Sequence, residues 1–137
     1  MANEPRPYNF FDEKQIAEDS FAYADLMGQP RWRTDWTVAY SFATATSLTV
    51  VGRFVVVGRL CFWQVKSSGT SLATTSGASY IDLPVAAKGY GGMGIMSNDT
   101  GNTPVGIGHI DVANSRFYPP TQGASGDTFI FAFWFEV

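Results

Sequence analysis

The stretch Val50–Val65, VVGRFVVVGRLCFWQV, decides the fold. It predicts two β-strands, because apolar and β-branched residues fill it and Gly58-Arg59 interrupts it as a turn would. Side chains alternate across a strand. The apolar residues of the second strand therefore divide into Leu60 and Phe62 on one face and Cys61, Trp63 and Val65 on the other. A strand that is apolar on both faces lies either inside a two-layer core or at a contact with another subunit.

The segment Asp127–Val137 predicts a second strand of this kind. Four phenylalanines at every other position form one face, and the opposite face carries Ile130 and Trp134. Burying one such large side chain is worth roughly 1.5–3 kcal/mol. Two strands that both favour cover on each side predict a homo-oligomer in which sheet faces pack together. The alternative is a thick single-domain core with the N-terminal segment as its lid.

Charge is distributed unevenly along the chain, which has 137 residues and a net charge of −3. Residues 1–36 hold seven acids and four bases, whereas residues 37–137 hold five of each. Soluble monomers carry about a quarter charged residues, so the sparse second part indicates a surface that another molecule covers. The acidic balance argues against a nucleic-acid partner, which needs a basic face.

Residues 37–137 predict an all-β domain, because short apolar runs alternate with Ser/Thr/Gly-rich connections such as Ser67–Gly69 and Gln122–Gly126. The predicted strands are Thr37–Thr44, Leu48–Val51, Arg53–Val57, Arg59–Lys66, Leu72–Thr75, Ser79–Leu83, Met93–Met96, Gly106–Asp111, Arg116–Tyr118 and Asp127–Val137. Many short strands without alternating helices favour an antiparallel sandwich or barrel over a parallel α/β sheet.

Residues 1–36 predict an extended arm followed by a short helix. Asp12 with Gln15 resembles a capping box, and Gly28 with Pro30 ends a helix that starts near Glu13. The helix either covers one end of the core or belongs to an arm that docks on a neighbouring protein. Candidate contacts with another copy or another protein are the large apolar residues Phe10, Phe11, Phe21, Trp32, Trp36, Trp63, Ile130 and Trp134.

Motifs that could carry chemistry are weak. Gly89–Gly94 matches G-x-G-x-x-G, but the residues after it do not predict the helix that a dinucleotide site requires, so a surface loop is expected. His109 is the only histidine, and catalytic zinc sites need two or three imidazoles. Cys61 lies in an apolar strand, which predicts an inert buried thiol and gives no activating environment for a Cys61–His109 dyad.

The sequence does not decide the roles of the acidic and aromatic residues. Four aspartates, at 82, 99, 111 and 127, could meet in space, but nothing in the sequence brings them together. Tyr80, Tyr90 and Tyr118 could form a carbohydrate platform, although tyrosines are also ordinary at strand ends. We therefore expect no catalytic residues, no metal, no cofactor and no enzymatic activity.

No leader pattern is visible at the start of the chain, and no apolar run approaches the roughly 20 residues of a membrane span. The sequence thus predicts synthesis in the cytoplasm and no membrane partner.

The hairpin Gly52–Val65, the segment Tyr80–Pro84 and the aromatic final strand together resemble a pattern in virion proteins of tailed bacteriophages. Those domains are β jelly rolls of capsid decoration (cement) proteins, fibre heads and fibre tips. The resemblance covers residues 37–137, leaves the arm outside, and transfers no catalytic residue. It implies an antiparallel jelly-roll sandwich that assembles as a dimer or a trimer.

The function that the resemblance implies is capsid decoration. The chain would be made in the host cytoplasm and bind the outer capsid surface of the virion, with the major capsid protein and further copies of itself as partners. A short tail fibre or receptor-binding tip that recognises a cell-surface glycan is the alternative, with loops such as Gly89–Gly94 or Asn98–Pro104 as the binding surface. The absence of a shaft-forming repeat favours decoration. A third class is a small cupin-like or lectin-like protein, and the lone histidine argues against metal-dependent cupins.

Overall fold

A computed structural model describes residues 31–137, and within them the chain forms eleven β-strands and no helix. The strands are β1 (Tyr40–Ser41), β2 (Thr44–Thr46), β3 (Thr49–Val57), β4 (Leu60–Ser68), β5 (Ser71–Thr74), β6 (Tyr80–Asp82), β7 (Gly92–Asn98), β8 (Thr103–Asp111), β9 (Arg116–Tyr118), β10 (Gln122–Ser125) and β11 (Phe129–Glu136). All strand pairings are antiparallel. The all-β prediction is confirmed, whereas the predicted arm before residue 31 and its helix lie outside the described residues.

The strands form two sheets. The large sheet has eight strands in the order β1-β6-β9-β8-β7-β11-β4-β3, and the small sheet has three in the order β10-β5-β2. The last strand, β11, lies inside the large sheet between β7 and β4. The small sheet contributes the fully buried Leu72 to the same core. This arrangement is consistent with a β-sandwich.

The Val50–Val65 stretch forms the predicted hairpin. β3 and β4 pair in register from Thr49–Ser68 to Val57–Leu60, which leaves Gly58 and Arg59 as the turn. Gly58 has a φ of 61°, as the first central residue of a type II′ turn requires. The burial of β4 also settles its two faces, because the Cys61, Trp63 and Val65 face lies in the core and the Leu60 and Phe62 face is exposed.

β3 corrects one predicted break. The sequence predicts two strands on either side of Gly52, but the ladder continues through this residue, which pairs with Val65. A glycine is needed there because a Cβ would approach the Trp36 ring to 2.6 Å. The missing side chain therefore marks a packing site for Trp36 rather than the end of a strand.

Two further predictions differ from the structure. The single strand predicted over Thr37–Thr44 is replaced by β1 and β2, which belong to different sheets. The predicted connection Gln122–Gly126 contains β10, which pairs with β5 through Gln122–Thr74 and Ser125–Leu72 around an irregular register. Serine and glycine have low strand propensity, so this strand depends on its partner β5 rather than on its own sequence.

The centre of the core is a cluster of three aromatic rings. The Phe133 ring centroid lies 3.9 Å from that of Trp63 and 3.8 Å from that of Phe117. Phe133 pairs with Gly94, and Gly94 pairs with Gly108 on the next strand. A Cβ on Gly94 would overlap the Phe133 ring, and one on Gly108 would overlap the Phe117 ring. Two glycines side by side thus make the room that the rings fill.

The compact β unit begins at Trp32. Arg33 and Phe54 exchange two backbone hydrogen bonds of 2.6 and 3.0 Å, which attach this segment to the edge of β3. Trp36 packs edge-on against Phe54 at 6.0 Å and Trp63 at 5.4 Å between ring centroids. Residues 32–36, which the sequence analysis assigns to the arm, are therefore part of the β unit.

Candidate interaction face

The large sheet carries apolar side chains on the face opposite its core. Register places Val55, Phe62, Trp134 and Met93 side by side across β3, β4, β11 and β7. The next row runs through Ala132, Ile95 and Ile107 on β11, β7 and β8. Paired residues share one face of a sheet. These seven residues are referred to below as the outer face.

The outer face is contiguous and open. Trp134 is 40 % exposed, Met93 48 % and Ile107 67 %, and Phe62 and Ile95 are exposed as well. The two rows cross five strands, a width of about 20 Å at the usual strand spacing. Single exposed apolar residues are ordinary, but a continuous apolar patch of this kind marks an interaction site.

Three charged side chains at the rim of the outer face, those of Arg53, Arg59 and Glu136, are engaged within the chain. The Arg53 guanidinium donates to Gln64 Oε1 at 2.8 and 2.6 Å and lies 4.6 Å from the centre of the Trp32 ring. At the other end the Glu136 carboxylate accepts a hydrogen bond from the Tyr90 backbone at 2.9 Å and faces Arg59. An apolar centre with a polar rim is the usual composition of a protein–protein interface.

The predicted contact residues separate into four groups. Trp134, and the half-buried Ile130 beside it on β11, lie on the outward side of the large sheet. Trp32 is 40 % exposed and lines a shallow groove with Val55 and Phe62, so it extends the first row. The remaining predictions are Trp36 and Trp63, which pack against the core, and Phe10, Phe11 and Phe21, which lie outside the described residues.

Trp63 requires a correction, because it is only 1 % exposed and so lies in the core of its own domain. The physical reason is register: Trp63 pairs with Phe133, so it shares the face that carries the β11 phenylalanines. Alternation alone groups Trp63 with Cys61 and Val65 but does not show which group faces inward.

Sequence reasoning missed Met93, Ile95 and Ile107 as members of the outer face. Alternation in β7 separates Met93 and Ile95 from Gly94 and the buried Met96, and this signal was present in the sequence. What it lacked was the pairing of β7 with β11, which joins these residues to Trp134.

The candidate thiol–imidazole pair is not assembled. Cys61 is fully buried on the core side of β4, and burial raises its pKa to about 11. His109 is on the opposite, exposed side of β8, and β7 and β11 separate the two strands. Cys61 is therefore a packed apolar group, as the sequence predicts.

The four aspartates fall into two places. Asp82 and Asp111 lie on the strands that flank Arg116, roughly 10 Å apart by strand spacing. Arg116 Nε donates to Asp82 Oδ1 at 3.0 Å, and this bond raises the pKa of Arg116. Asp127 instead accepts a 2.8 Å hydrogen bond from Asn98 Nδ2, and Asp99 follows Asn98 in the chain. The structure thus gives Asp82 a guanidinium partner and Asp127 an amide partner, and it does not bring the four carboxylates together.

The glycine-rich motif forms a turn that leads into a strand. Gly89 and Gly91 have positive φ values of 60° and 77°, and β7 begins at Gly92. A dinucleotide fold would place a helix there to bind the pyrophosphate. Tyr90 lies at the tip of this turn and is fully exposed, whereas Tyr80 and Tyr118 pack against each other elsewhere. The three tyrosines therefore do not form one platform.

Within residues 31–137 there is no group of three or more metal-ligating side chains. The same part of the chain contains no helix with the length and hydropathy needed to cross a membrane. Comparison of the chain with protein-family models, curated proteins and solved structures finds no match.

Proposed function

We propose that this chain is a viral structural protein, a capsid decoration protein that binds the outside of a phage shell and stabilises it. The observation that carries the proposal is the outer face, a continuous apolar surface on the large sheet. Covering such a surface with another protein stabilises the complex by about 25 cal/mol for each Å² of apolar area removed from water. The virion setting comes from the resemblance of the hairpin and the final strand to phage virion domains.

The charge pattern supports a covered surface. Residues 37–137 carry only ten charged side chains, and the rim groups Arg53, Arg59 and Glu136 are engaged within the chain. Few charges then need to lose their water when a partner binds, which lowers the cost of association. The proposed occupants are a further copy of this chain, in a dimer or trimer, and the major capsid protein.

The jelly-roll topology belongs to the proposal. Its support is that β11, the last strand in sequence, pairs with β4 and β7, so the large sheet is not a simple meander. Connections that return a late strand beside an early one are typical of Greek-key and jelly-roll folds.

The proposed mechanism is physical. A decoration protein adds buried area across the junctions of shell subunits and so opposes the outward pressure of packed DNA. Specific interfaces bury roughly 1,200–2,000 Å² each. Repetition over a symmetric shell multiplies the stabilisation of one contact by the number of equivalent sites.

The test is the copy number of this chain in purified virions, measured by quantitative mass spectrometry against the major capsid protein. Decoration predicts copies on the order of the number of shell sites, hundreds in a typical shell. A few copies, or a few dozen, would contradict decoration and favour the short tail fibre or receptor-binding tip. Absence from purified particles would contradict both virion roles.

A further inference from the structure

A polar groove lies beside the outer face, at the side of the large sheet where β8 and β9 pair. Its lining consists of Ser76, Gly77, Ile107, Gly108, His109, Asp111 and Tyr118. The turn between β5 and β6 forms one wall, and β8 with β9 forms the other. Ile107 belongs to both surfaces, and His109 pairs with Met93 at the end of the first row, so the groove borders the outer face along β8.

The turn that forms the first wall is held in place by hydrogen bonds. The Thr75 backbone N–H donates to Ser79 Oγ at 2.8 Å, and the Ser79 N–H donates back to the Thr75 carbonyl at 2.9 Å. The Ser76 N–H donates to Thr121 Oγ1 at 3.0 Å, and Gly77 adopts a φ of 80°. A ligand would therefore meet a preformed wall and would not incur the entropy cost of ordering it.

The second wall places an aromatic ring against the groove. Tyr118 pairs in register with His109 and packs edge-on against Tyr80, with 6.2 Å between the ring centroids. Behind it the Arg116 guanidinium lies 3.8 Å from the centre of the Tyr80 ring and is bonded to Asp82. This stack supports the Tyr118 ring from the side away from the groove.

Three polar side chains reach the groove with hydrogen-bonding capacity to spare. Within residues 31–137, the Ser76 hydroxyl and the His109 imidazole make no hydrogen bond to the protein. Asp111 accepts from Asn114 through the backbone N–H at 3.3 Å and Nδ2 at 2.7 Å, which leaves further lone pairs on its oxygens. The bonds from Asn114 lower the pKa of Asp111, so this carboxylate is ionised at neutral pH.

We propose that this groove binds a neutral saccharide unit. A sugar ring has an apolar C–H face and a rim of hydroxyls, and the groove offers both matching surfaces. The C–H face stacks on Tyr118 and Ile107, while hydroxyls donate to Asp111 and exchange hydrogen bonds with Ser76 and His109. A small number of placed polar groups fixes the orientation of a small ligand in its site.

The charge of the groove selects against acidic sugars. Its lining includes the Asp111 carboxylate and no lysine or arginine, and the nearby Arg116 is already paired with Asp82. A sugar carboxylate or sulfate would face Asp111 without a countercharge. The assignment goes beyond the proposed structural role and stands whether or not the outer face joins a capsid.

The experiment is an NMR titration of the ¹⁵N-labelled full-length protein with the methyl glycosides of glucose, galactose, mannose and N-acetylglucosamine, each up to about 50 mM, and with N-acetylneuraminic acid as the acidic probe. At least one neutral sugar should shift the amide signals of Gly108, His109 and Tyr118 with a dissociation constant in the millimolar range. The acidic sugar should not.

Tyr118→Ala should weaken this binding about tenfold or more, and Tyr118→Phe should keep most of it, because the ring is retained. Ser76→Ala and His109→Ala test the polar contacts without touching the Tyr80 stack, and Tyr90→Ala, on a distant exposed ring, is the matched control. The proposal is overturned if no neutral sugar shifts these amides, if the shifts map elsewhere, or if Tyr118→Ala and Ser76→Ala both bind as well as the unmodified chain.

Discussion

Gly94 is a residue where the structure leaves no room for a side chain. Its missing side chain lies under Phe133, and that ring is held between Trp63 and Phe117 with centroid distances of 3.9 and 3.8 Å. The ring cannot move aside without displacing its neighbours. We expect Gly94→Ala to lower the free energy of unfolding by about 1–3 kcal/mol, the usual cost of overpacking a core.

The matched control for Gly94 is Gly123 on β10. A Cβ at Gly123 would meet nothing within 4 Å, so Gly123→Ala should leave stability within about 0.5 kcal/mol of the unmodified protein. Urea unfolding of both variants measures the difference. Equal urea midpoints for the two variants would show that the aromatic cluster accommodates the added methyl group without a loss of stability.

Cys61 makes the free energy of unfolding depend on pH in the alkaline range. Burial raises the pKa of this thiol from 9.0 to about 11, so the unfolded chain loses the thiol proton at a lower pH than the folded chain. Between pH 9 and 11 the folded state binds the proton more strongly, and the free energy of unfolding falls as pH rises, by up to about 1.4 kcal/mol per pH unit. Below pH 9 the thiol contributes no slope.

Other groups also titrate in this range, so the measurement is a difference between two proteins. Cys61→Ala keeps a small apolar side chain and removes the titrating group. Chemical unfolding at several pH values from 8 to 11 should show a smaller loss of stability for Cys61→Ala than for the unmodified chain. Parallel curves would mean that the thiol is not protected from ionisation by the fold.

Strand β11 joins the core to the outer face. Its phenylalanines fill the core, and Trp134 lies between Phe62 and Met93 on the other side. If the outer face binds a second copy of the chain, Trp134→Ala should weaken self-association roughly thirtyfold, the loss of about 2 kcal/mol typical of a central aromatic contact. The fold should remain, because Trp134 is 40 % exposed and outside the core.

Sedimentation at micromolar concentration measures the effect on self-association. Tyr90→Ala is the control, since Tyr90 is equally aromatic and fully exposed but lies in a turn outside the two rows. Unchanged sedimentation of Trp134→Ala would exclude the outer face as the contact between copies. A loss of association in both variants would point to a different surface.

Strands with strict alternation could be predicted from the sequence, and those that depend on a partner could not. The hairpin and β11 show period two in residues of high strand propensity, so their existence and the grouping of their side chains follow directly. The continuity of β3 through Gly52 and the choice of the inner face of β4 depend on packing and pairing. β10 is rich in serine and glycine and exists through its pairing with β5. For the same reason Ile130 and Trp134 could be assigned to a surface from β11 alone, whereas Met93 and Ile107 join that surface only through pairing between strands.

At the scale of the whole molecule, the large sheet uses its two sides differently. The inner side is closed by the small sheet and by Trp36, which packs against Phe54 and Trp63. The outer side changes from the apolar outer face near β3 and β4 to the polar groove near β8 and β9. A single sheet can therefore present a protein contact and a ligand contact at once, and the two meet at Ile107 on β8.

The proposed role of the arm depends on a boundary that the structure now defines. Residues 32–36 belong to the β unit, because Arg33 bonds to Phe54 and Trp36 covers Gly52. Deleting residues 1–28 should therefore leave a folded domain with an unchanged urea midpoint, whereas deleting residues 1–36 also removes both tryptophans and should lower the midpoint. The shorter deletion isolates the function of the arm from the stability of the domain.

If the arm ties the protein to the shell, the chain lacking residues 1–28 should fold normally but fail to join the particle. Particles stripped of this protein and incubated with either chain would be separated by density centrifugation, and occupancy measured by mass spectrometry. The acidic residues and the phenylalanines at positions 10, 11 and 21 are the groups lost in this deletion. Full occupancy by the shortened chain would exclude the arm, and the contact would then rest on the outer face, where Trp134→Ala should reduce occupancy instead.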